Sequence, residues 1–396
     1  MEVVLKKAVV LVLDGAGIGE MPDASNYGDC GSDTIGNTAR AVGGLHLPVL
    51  QSMGLGNIHP VQGVKPVDSP VASWGKMSEM SVGKDSTTGH WEMMGLVSSV
   101  AMPVFPEGFP ASFIKKFSES CGHIILGNEV ASGTEIIQRF GKEQIRTHGL
   151  IVYTSADSVF QIAAHESAVP VDELYRCCRI AREMLVPPDL GVSRVIARPF
   201  TGDAPGEYSR TSRRKDFSVP PPGTTLLDRL AEENIPVTGV GKIDDLFNHR
   251  NITTAHTADN TQGMKLVLDK VRQSSGGFIF ANFCDFDSKW GHRNDFHGFA
   301  TGLSAVDNWL PQLMQSLSFG DLLVVTADHG NDPTTPSTDH SREYVPLLVY
   351  TPKCSGTSLG IRTTFSDIAC TLLDFFRING DFPGSSFLKE VLCDIE

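Results

Sequence analysis

The sequence predicts an α/β fold: a mostly parallel sheet flanked by helices, with a smaller α/β domain inserted into it. Two observations carry this reading. Short apolar runs rich in β-branched residues alternate with segments of helical periodicity, the arrangement of a sheet covered by helices on both faces. Two proline clusters, Pro103, Pro106 and Pro110, then Pro220, Pro221 and Pro222, resist both helix and central strand and mark crossings between domains.

Five runs read as strands of the main domain: Val9 to Leu13, Val237 to Val240, Phe278 to Phe283, Leu322 to Thr326 and Val345 to Tyr350. Helical patterns cover Thr225 to Glu233, Gln262 to Gln273, Gly302 to Ser316 and Thr364 to Arg377. In the last, Phe365, Ile368, Leu372 and Phe375 recur every three or four residues and form one apolar face. Pro311 is expected to start a new turn or kink its helix. Between the proline clusters lie strands near Leu150 to Thr154 and Arg194 to Ala197. A helix near Asp172 to Val186 buries Leu174, Cys178, Ala181 and Leu185 and stops at Pro187 and Pro188. The expected division is a core of residues 1–102 and 220–396 with residues 103–219 inserted.

At roughly 150 residues per domain, 396 residues hold two to three domains. Asp plus Glu number 46 against 33 Lys plus Arg, a net charge of −13. That charge repels polyanions and disfavours a nucleic-acid or anionic-membrane surface, while suiting a protein that holds cations. The first apolar run, Ala8 to Leu13, is broken by Asp14, far short of the roughly 20 residues that span a bilayer. Lys6 and Lys7 ahead of it imitate a signal peptide, but no small-residue cleavage site follows, so it reads as a buried strand. The eight cysteines show no CxxC pair and no regular spacing, hence neither a zinc ribbon nor a disulfide framework. A reducing cytoplasm is expected, with most of these thiols as small core residues.

Polar clusters stand at three strand ends: Asp14 after AVVLVL, Asp285 and Asp287 within FIFANFCDFDSKWGH, and Asp328 with His329 after LLVVTADHG. Ligands of open α/β sheets bind at the carboxyl ends of the strands, so three acidic ends suggest one site. Converging carboxylates repel one another, and either their pKa values rise or cations neutralise them. His292 and His340 add nitrogen donors from adjoining loops. The set is Asp14, Asp287, His292, Asp328, His329 and His340, three carboxylates and three imidazoles without a thiolate. Such donors suit Mn, Zn, Fe or Mg. Six ligands suffice for two ions, which together activate an attacking oxygen and neutralise a phosphoryl group. Taken singly, an Asp after a strand is more often a cap or turn residue, and a lone His is as often structural; the joint placement is the signal.

In GKDSTTGHWEMMG, hydroxyls at Ser86, Thr87 and Thr88 lie between Gly83 and Gly89 at an expected helix start, where backbone N–H groups favour an anion. A hydroxyl there is either a metal-activated nucleophile or a helix cap. DGAGIGE after the first strand matches the dinucleotide fingerprint GxGxxG poorly.

VLVLDGAGIGEMPDASNYGDCGSDTIGNTA, GKDSTTGHWEMMG, FANFCDFDSKWGHRND and TADHGNDPTTPSTDHSREYVPLLVY together resemble the phosphopentomutases of the alkaline phosphatase superfamily, nearly end to end. The resemblance implies an alkaline-phosphatase-like two-metal core with a smaller inserted cap domain, usual manganese dependence, and interconversion of ribose 1-phosphate with ribose 5-phosphate, including the deoxyribose pair. It implies one ion on Asp14, Asp328, His329 and the nucleophile oxygen, and another on Asp287, His292 and His340. It puts the phosphorylated hydroxyl on Ser86, where the family usually carries Thr and the related cofactor-independent phosphoglycerate mutases carry Ser. It implies glucose 1,6-bisphosphate or ribose 1,5-bisphosphate as activator. SADSV and RVIARPF resemble sugar-contacting segments and implicate Ser155, Asp157, Val159, Arg194 and Ile196, with Arg210 and Lys242 as candidate phosphate contacts. A solvated surface charge is the plainer reading of Arg210, since RTSRRK holds other basic residues, and Asp157 could equally be a turn residue. Excluding water from the phosphoenzyme gives the cap a use, favouring transfer to a sugar over hydrolysis. The expected partners are small-molecule pentose phosphates, with no nucleic acid or membrane. A phosphoglycerate mutase or phosphatase of the same superfamily is the alternative, and a non-catalytic, metal-dependent sugar-phosphate sensor a more distant one.

Overall fold

The computed structural model describes residues 6–155, 158–186 and 190–392. The chain divides into two compact units, Met1–Val100 with Pro221–Glu396, and Ala101–Pro220. In chain order the strands are β1 Lys7–Leu13 and β2 Ser73–Met77 in the first unit. The second unit contributes β3 Ile125–Val130, β4 Leu150–Thr154, β5 Val159–His165, β6 Arg194–Thr201, β7 Ser209–Arg210 and β8 Lys215–Ser218. The chain then returns for β9 Val237–Val240, β10 Thr253–Ala255, β11 Gly277–Phe283, β12 Leu322–Thr326, β13 Val345–Tyr350 and β14 Ser358–Arg362.

The first unit is built on an eight-stranded sheet in the order β10-β9-β11-β1-β12-β13-β2-β14. Only β13 runs antiparallel to its neighbours, so the sheet is mostly parallel, as expected. β1, β11 and β12 are buried almost throughout, which their unbroken apolar sequences dictate, since a strand covered on both faces has no polar side to alternate with. The parallel register sets Leu13 beside Phe283 and Val12 beside Thr326. The carboxyl ends of the three central strands therefore open at one edge, with the residues after Leu13 and after Ala327 level with each other.

The helices agree with the apolar periodicity in their cores and differ at their starts. The helix Asn260–Gln273 begins two residues before the periodic stretch because the Asp259 side chain accepts from the Gln262 N–H at 2.8 Å. Asp295 likewise accepts from Gly298 N–H at 2.8 Å, and its helix runs Phe296–Gln315 with Pro311 inside it, where a new turn or kink was expected. Caps are polar and carry no apolar period, which is why the periodic pattern misses these first turns. Among the described residues no helix is long and apolar enough to cross a membrane. Cys30, Cys121, Cys177, Cys178, Cys284 and Cys370 are free, whereas Cys354 is disulfide-bonded. The spacing of the cysteines carried no sign of this bond.

The second unit has its own sheet, β3-β4-β5-β6-β7, with β8 also paired to β6. Phe160 on one face meets Phe109, Phe113 and Phe117 edge-on, beneath the helices Ala111–Cys121 and Val171–Met184. On the other face Ile151, Tyr153 and Phe200 pack with Ile136 and Ile137 of the helix Gly133–Thr147. Two apolar layers around one sheet give this unit a core of its own.

Candidate active site

Asp14 and Asp328 follow the adjacent strands β1 and β12, and both are fully buried. The Gly15 N–H, in a turn with φ +75°, donates to Asp328 Oδ1 at 3.0 Å and locks the two strand ends together. His329 Nε2 lies 3.4 Å from Asp14 Oδ1 and 3.4 Å from Asp328 Oδ2. Asp287 reaches the same place from the short helix Phe286–Trp290 after β11, with His292 Nε2 and His340 Nε2 each 3.3 Å from its Oδ1. The His329 and His340 ring centroids are 4.0 Å apart and those of His292 and His340 4.9 Å. Donor atoms of Asp14, Asp328 and His329 all lie within 4.8 Å of one another, as do those of Asp287, His329 and His340. His329 thus stands between two triads.

The nucleophile candidate comes from a separate segment. Asp85, not a hydroxyl residue, caps the helix Ser86–Met93, accepting from Thr87 N–H at 3.0 Å and Thr88 N–H at 3.2 Å. This releases Ser86, the first residue of the helix, from a capping role. Its Oγ stands 3.1 Å from His329 Nε2 and 3.5 Å from Asp14 Oδ1. Thr88 Oγ1 donates to Asp85 at 2.6 Å. Gly89 lies against the Asp328 carbonyl, leaving no room for a Cβ, so the helix can approach the strand end this closely only with glycine there. Glu92, buried, accepts from the N–H groups of Met80, Ser81 and Phe365 and from the Thr364 hydroxyl, fixing the helix in the core.

The electrostatics show how the cluster balances itself. Burial pushes Asp14 up, but the Lys242 ammonium, Nζ 3.5 Å away, and His329 hold it well below the usual carboxylate range. Burial also pushes Asp287 up, and the His292 and His340 imidazoles, each 3.3 Å from its Oδ1, hold it well below. Burial alone would lower His329, yet Asp328 and Asp14 raise it well above the ordinary imidazole. Two buried atoms at the centre, Asp328 Oδ2 and His340 Nε2, have no hydrogen-bond partner. His292 and His329 turn their Nδ1 to the carbonyls of Thr338 and Gly330, at 2.7 and 3.0 Å, leaving Nε2 for the site. Imidazoles anchored in this way present a fixed lone pair to a metal. Orphaned buried donors, oriented imidazoles and three carboxylates fit divalent cations, and no sulfur belongs to the set.

Several residues around the site were not singled out in the sequence. His90 Nδ1 donates to the Ser86 carbonyl at 2.8 Å and lies 3.2 Å from Asp328 Oδ2. Asn282 Nδ2 faces His90 Nε2 at 3.2 Å, and Cys284 Sγ donates to Asn282 Oδ1, so the amide is held with its donor toward the ring. Asn331 donates to Asp287 Oδ1 at 2.7 Å. Lys84 Nζ donates to the His340 carbonyl at 2.6 Å, and the buried Arg342 pairs with Glu79 at 2.8 Å while bonding the Gly83 carbonyl at 2.9 Å. These last two tie the His340 loop to the turn before Ser86. The available signal was position: His90 lies four residues from Ser86 and Asn331 two from His329. Asp285, one of the acidic strand-end residues, points elsewhere, accepting from Asn260 N–H at 2.9 Å and pairing with Lys289 at 3.1 Å.

Among the candidate substrate contacts, Lys242 belongs to the first unit and stands at this cluster, its Nζ 3.5 Å from Asp14 Oδ2. Ser155, Val159, Arg194 and Ile196 belong to the second unit. Val159 and Arg194 are register partners at the starts of β5 and β6, Ser155 follows β4, and Ile196 lies two residues beyond Arg194. Arg194 Nη1 sits 3.4 Å from Asp216 Oδ2. Arg210 is carried at the other end of β6, opposite Phe200, and its guanidinium lies with the Tyr153 hydroxyl against Gly133. Asp157 lies outside the described residues.

This fold and donor set agree with the sequence comparison, in which the chain matches the metalloenzyme superfamily over residues 6–380. The phosphopentomutase of Dictyoglomus thermophilum is 54% identical over 389 residues, covering 98% of this chain and 99% of that protein. The phosphopentomutase of Anaeromyxobacter sp. is 55% identical over 388 residues, covering 98% and 99%. The solved structure of the Pyrococcus horikoshii protein PH0037 matches 96% of this chain and 100% of its own length with TM-score 0.50 at 13% identity, a likeness of fold. The chain belongs to the phosphopentomutase family within the metalloenzyme superfamily, and is an enzyme of the phosphotransferring isomerase class.

Proposed function

We propose that the chain interconverts ribose 1-phosphate and ribose 5-phosphate, and the corresponding deoxyribose pair, through phosphorylated Ser86 and a sugar bisphosphate. The observation that carries this is the 3.1 Å approach of Ser86 Oγ to His329 Nε2, at the meeting point of the two donor triads. Asp14, Asp328 and His329 would hold one divalent cation and Asp287, His292 and His340 the other, with Mn2+ the expected ion. Three carboxylates and a seryl alkoxide bring four negative charges, which two bound divalent cations neutralise so that a phosphate dianion can enter.

The remaining work falls to the chain itself. Asp85 caps the helix and leaves the Ser86 hydroxyl outside the capping hydrogen bonds. Lys242, beside Asp14, adds a positive charge at the edge of the cluster. Glucose 1,6-bisphosphate or ribose 1,5-bisphosphate primes the serine: a P–O bond to the sugar breaks as the bond to Ser86 Oγ forms. Phospho-Ser86 then gives the group to the free hydroxyl of the pentose phosphate, and the other end of the resulting bisphosphate restores it. A hydroxymethyl side chain performs this chemistry as the family's usual threonine does, without the methyl group.

The test is turnover of ribose 5-phosphate with Mn2+ and a trace of glucose 1,6-bisphosphate, followed by phosphorus NMR, with 3-phosphoglycerate in a parallel tube. Appearance of ribose 1-phosphate supports the proposal. Isomerisation of 3-phosphoglycerate alone, or release of inorganic phosphate alone, would favour a phosphoglycerate mutase or a phosphatase instead.

A further inference from the structure

The second unit contains a cluster of metal-ligating side chains remote in sequence from the six described above. Cys121 is the last residue of the helix Ala111–Cys121, and Gly122, with φ +79°, turns the chain so that His123 follows directly. Glu173 and Cys177 stand one turn apart on the helix Val171–Met184, hence on one face. His123 Nε2 is 3.0 Å from Glu173 Oε1, and Cys177 Sγ is 3.7 Å from the same oxygen. Donor atoms of His123, Glu173 and Cys177 all lie within 4.8 Å of one another. A second buried thiol, Cys121, ends the neighbouring helix, its Sγ 3.7 Å from the Ser118 carbonyl and 4.0 Å from the His123 carbonyl.

The orientation of His123 is informative. Its Nδ1 donates to the His148 carbonyl at 2.7 Å, which fixes the ring and leaves Nε2 turned to Glu173. An imidazole in that tautomer sets a lone pair against a carboxylate oxygen at hydrogen-bond distance, a conflict that a proton or a cation between them removes. The Cys177 thiol beside the same oxygen favours the cation, because thiolate and imidazole together select a thiophilic metal. Arg176 completes the balance. It bonds Glu173 through Nε at 2.8 Å and Nη2 at 2.6 Å, and the Cys121 carbonyl at 2.7 Å. The Cys177 thiolate and the Glu173 carboxylate bring two negative charges to one divalent cation, and the guanidinium holds the carboxylate in place.

We propose that His123, Glu173 and Cys177 form a further metal site, in the second unit, that takes one tetrahedrally coordinated thiophilic divalent cation, Zn2+ foremost, with the fourth position left to water. Binding expels the Cys177 thiol proton to solvent and ties His123, just past the end of one helix, to the first turns of the other. The site owes nothing to the mutase reading and stands or falls separately from it.

Full-length protein, reduced with a phosphine and stripped of metal, is titrated with Co2+ alone while near-ultraviolet thiolate-to-cobalt charge-transfer absorption is followed. The six core donors contain no sulfur, so the difference between wild type and Cys177→Ser reports this site. A saturable band is expected that Zn2+ bleaches, that Cys177→Ser abolishes, and that Asp328→Asn leaves in place. Glu173→Gln, on a partly exposed side chain where misfolding is not at issue, should weaken Co2+ by at least about tenfold. No band in the folded wild type, an equal band in Cys177→Ser, or an unaltered affinity in Glu173→Gln would overturn the proposal.

Discussion

Ser86 Oγ stands 3.1 Å from His329 Nε2, while the other nitrogen of that imidazole is fixed on the Gly330 carbonyl at 3.0 Å. The hydroxyl and the ring come from segments more than two hundred residues apart, joined by a helix that needs glycine to pack on the strand end. His329 also faces Asp14 and Asp328, so one side chain links the nucleophile candidate to the carboxylates.

Loss of a donor should be read in metal content as well as rate. Asp287→Asn removes the carboxylate on which His292 and His340 converge. Turnover is expected to fall by roughly 10²–10³, and the bound divalent cation counted by elemental analysis should drop relative to wild type. Unchanged metal content in a folded variant would remove Asp287 from the ligand set.

Metal uptake should release protons. Without a cation, Asp328 and Asp14 hold the His329 imidazole well above its ordinary range, so it is protonated near neutrality and must lose that proton to become a ligand. Affinity is therefore expected to weaken as pH falls. Calorimetric titration with Mn2+ in two buffers of different ionisation enthalpy checks this, with net proton release on binding the expected outcome.

His90 is a positioning residue, reaching Ser86 through its carbonyl and Asp328 through a carboxylate oxygen. His90→Ala is expected to lower metal affinity or turnover by about 10–100-fold, and Asn282→Ala, which releases only the far nitrogen of the ring, by less. Rescue by His90→Gln in metal affinity, read by titration rather than by rate, would support orientation rather than direct chemistry.

Acid should act through Asp33, which caps the helix Thr34–Ala41 and pairs with Arg40 at 2.9 Å and His59 at 3.1 Å. Burial raises this carboxyl, but His59 and Arg40 outweigh it and leave it below its usual value of 3.8. A lowered folded-state value means stabilisation that is complete above the unfolded value and lost as pH falls through the folded one. Asn caps a helix as well as Asp, so Asp33→Asn isolates the ion pairs. Urea unfolding should find the variant less stable at neutral pH, by up to about 1 kcal/mol for each exposed pair, with the gap closing in acid.

Much of the first unit's sheet was legible because buried parallel strands write themselves as unbroken apolar runs; Val237–Val240, Leu322–Thr326 and Val345–Tyr350 occur with those bounds. Asp14 and Asp328 were legible for a related reason, since each interrupts such a run. Helix starts at Asn260 and Phe296 were not, because polar caps lie outside the periodic face. Nor were Asn331, His90 and Arg342, whose importance lies in partners distant along the chain. Arg342, buried against Glu79 more than two hundred residues away, has no local pattern to betray it. The thiol and imidazole cluster of the second unit was hidden for the same reason: His123 joins Glu173 and Cys177 only when two helices pack.

The most direct measurement is the site of phosphorylation. Protein incubated with Mn2+ and glucose 1,6-bisphosphate, quenched and digested, is mapped by tandem mass spectrometry beside Ser86→Ala. The account predicts one phosphoryl group on Ser86, absent from the variant, together with loss of mutase turnover in it. Phosphate on another residue, or full turnover by Ser86→Ala, would contradict it.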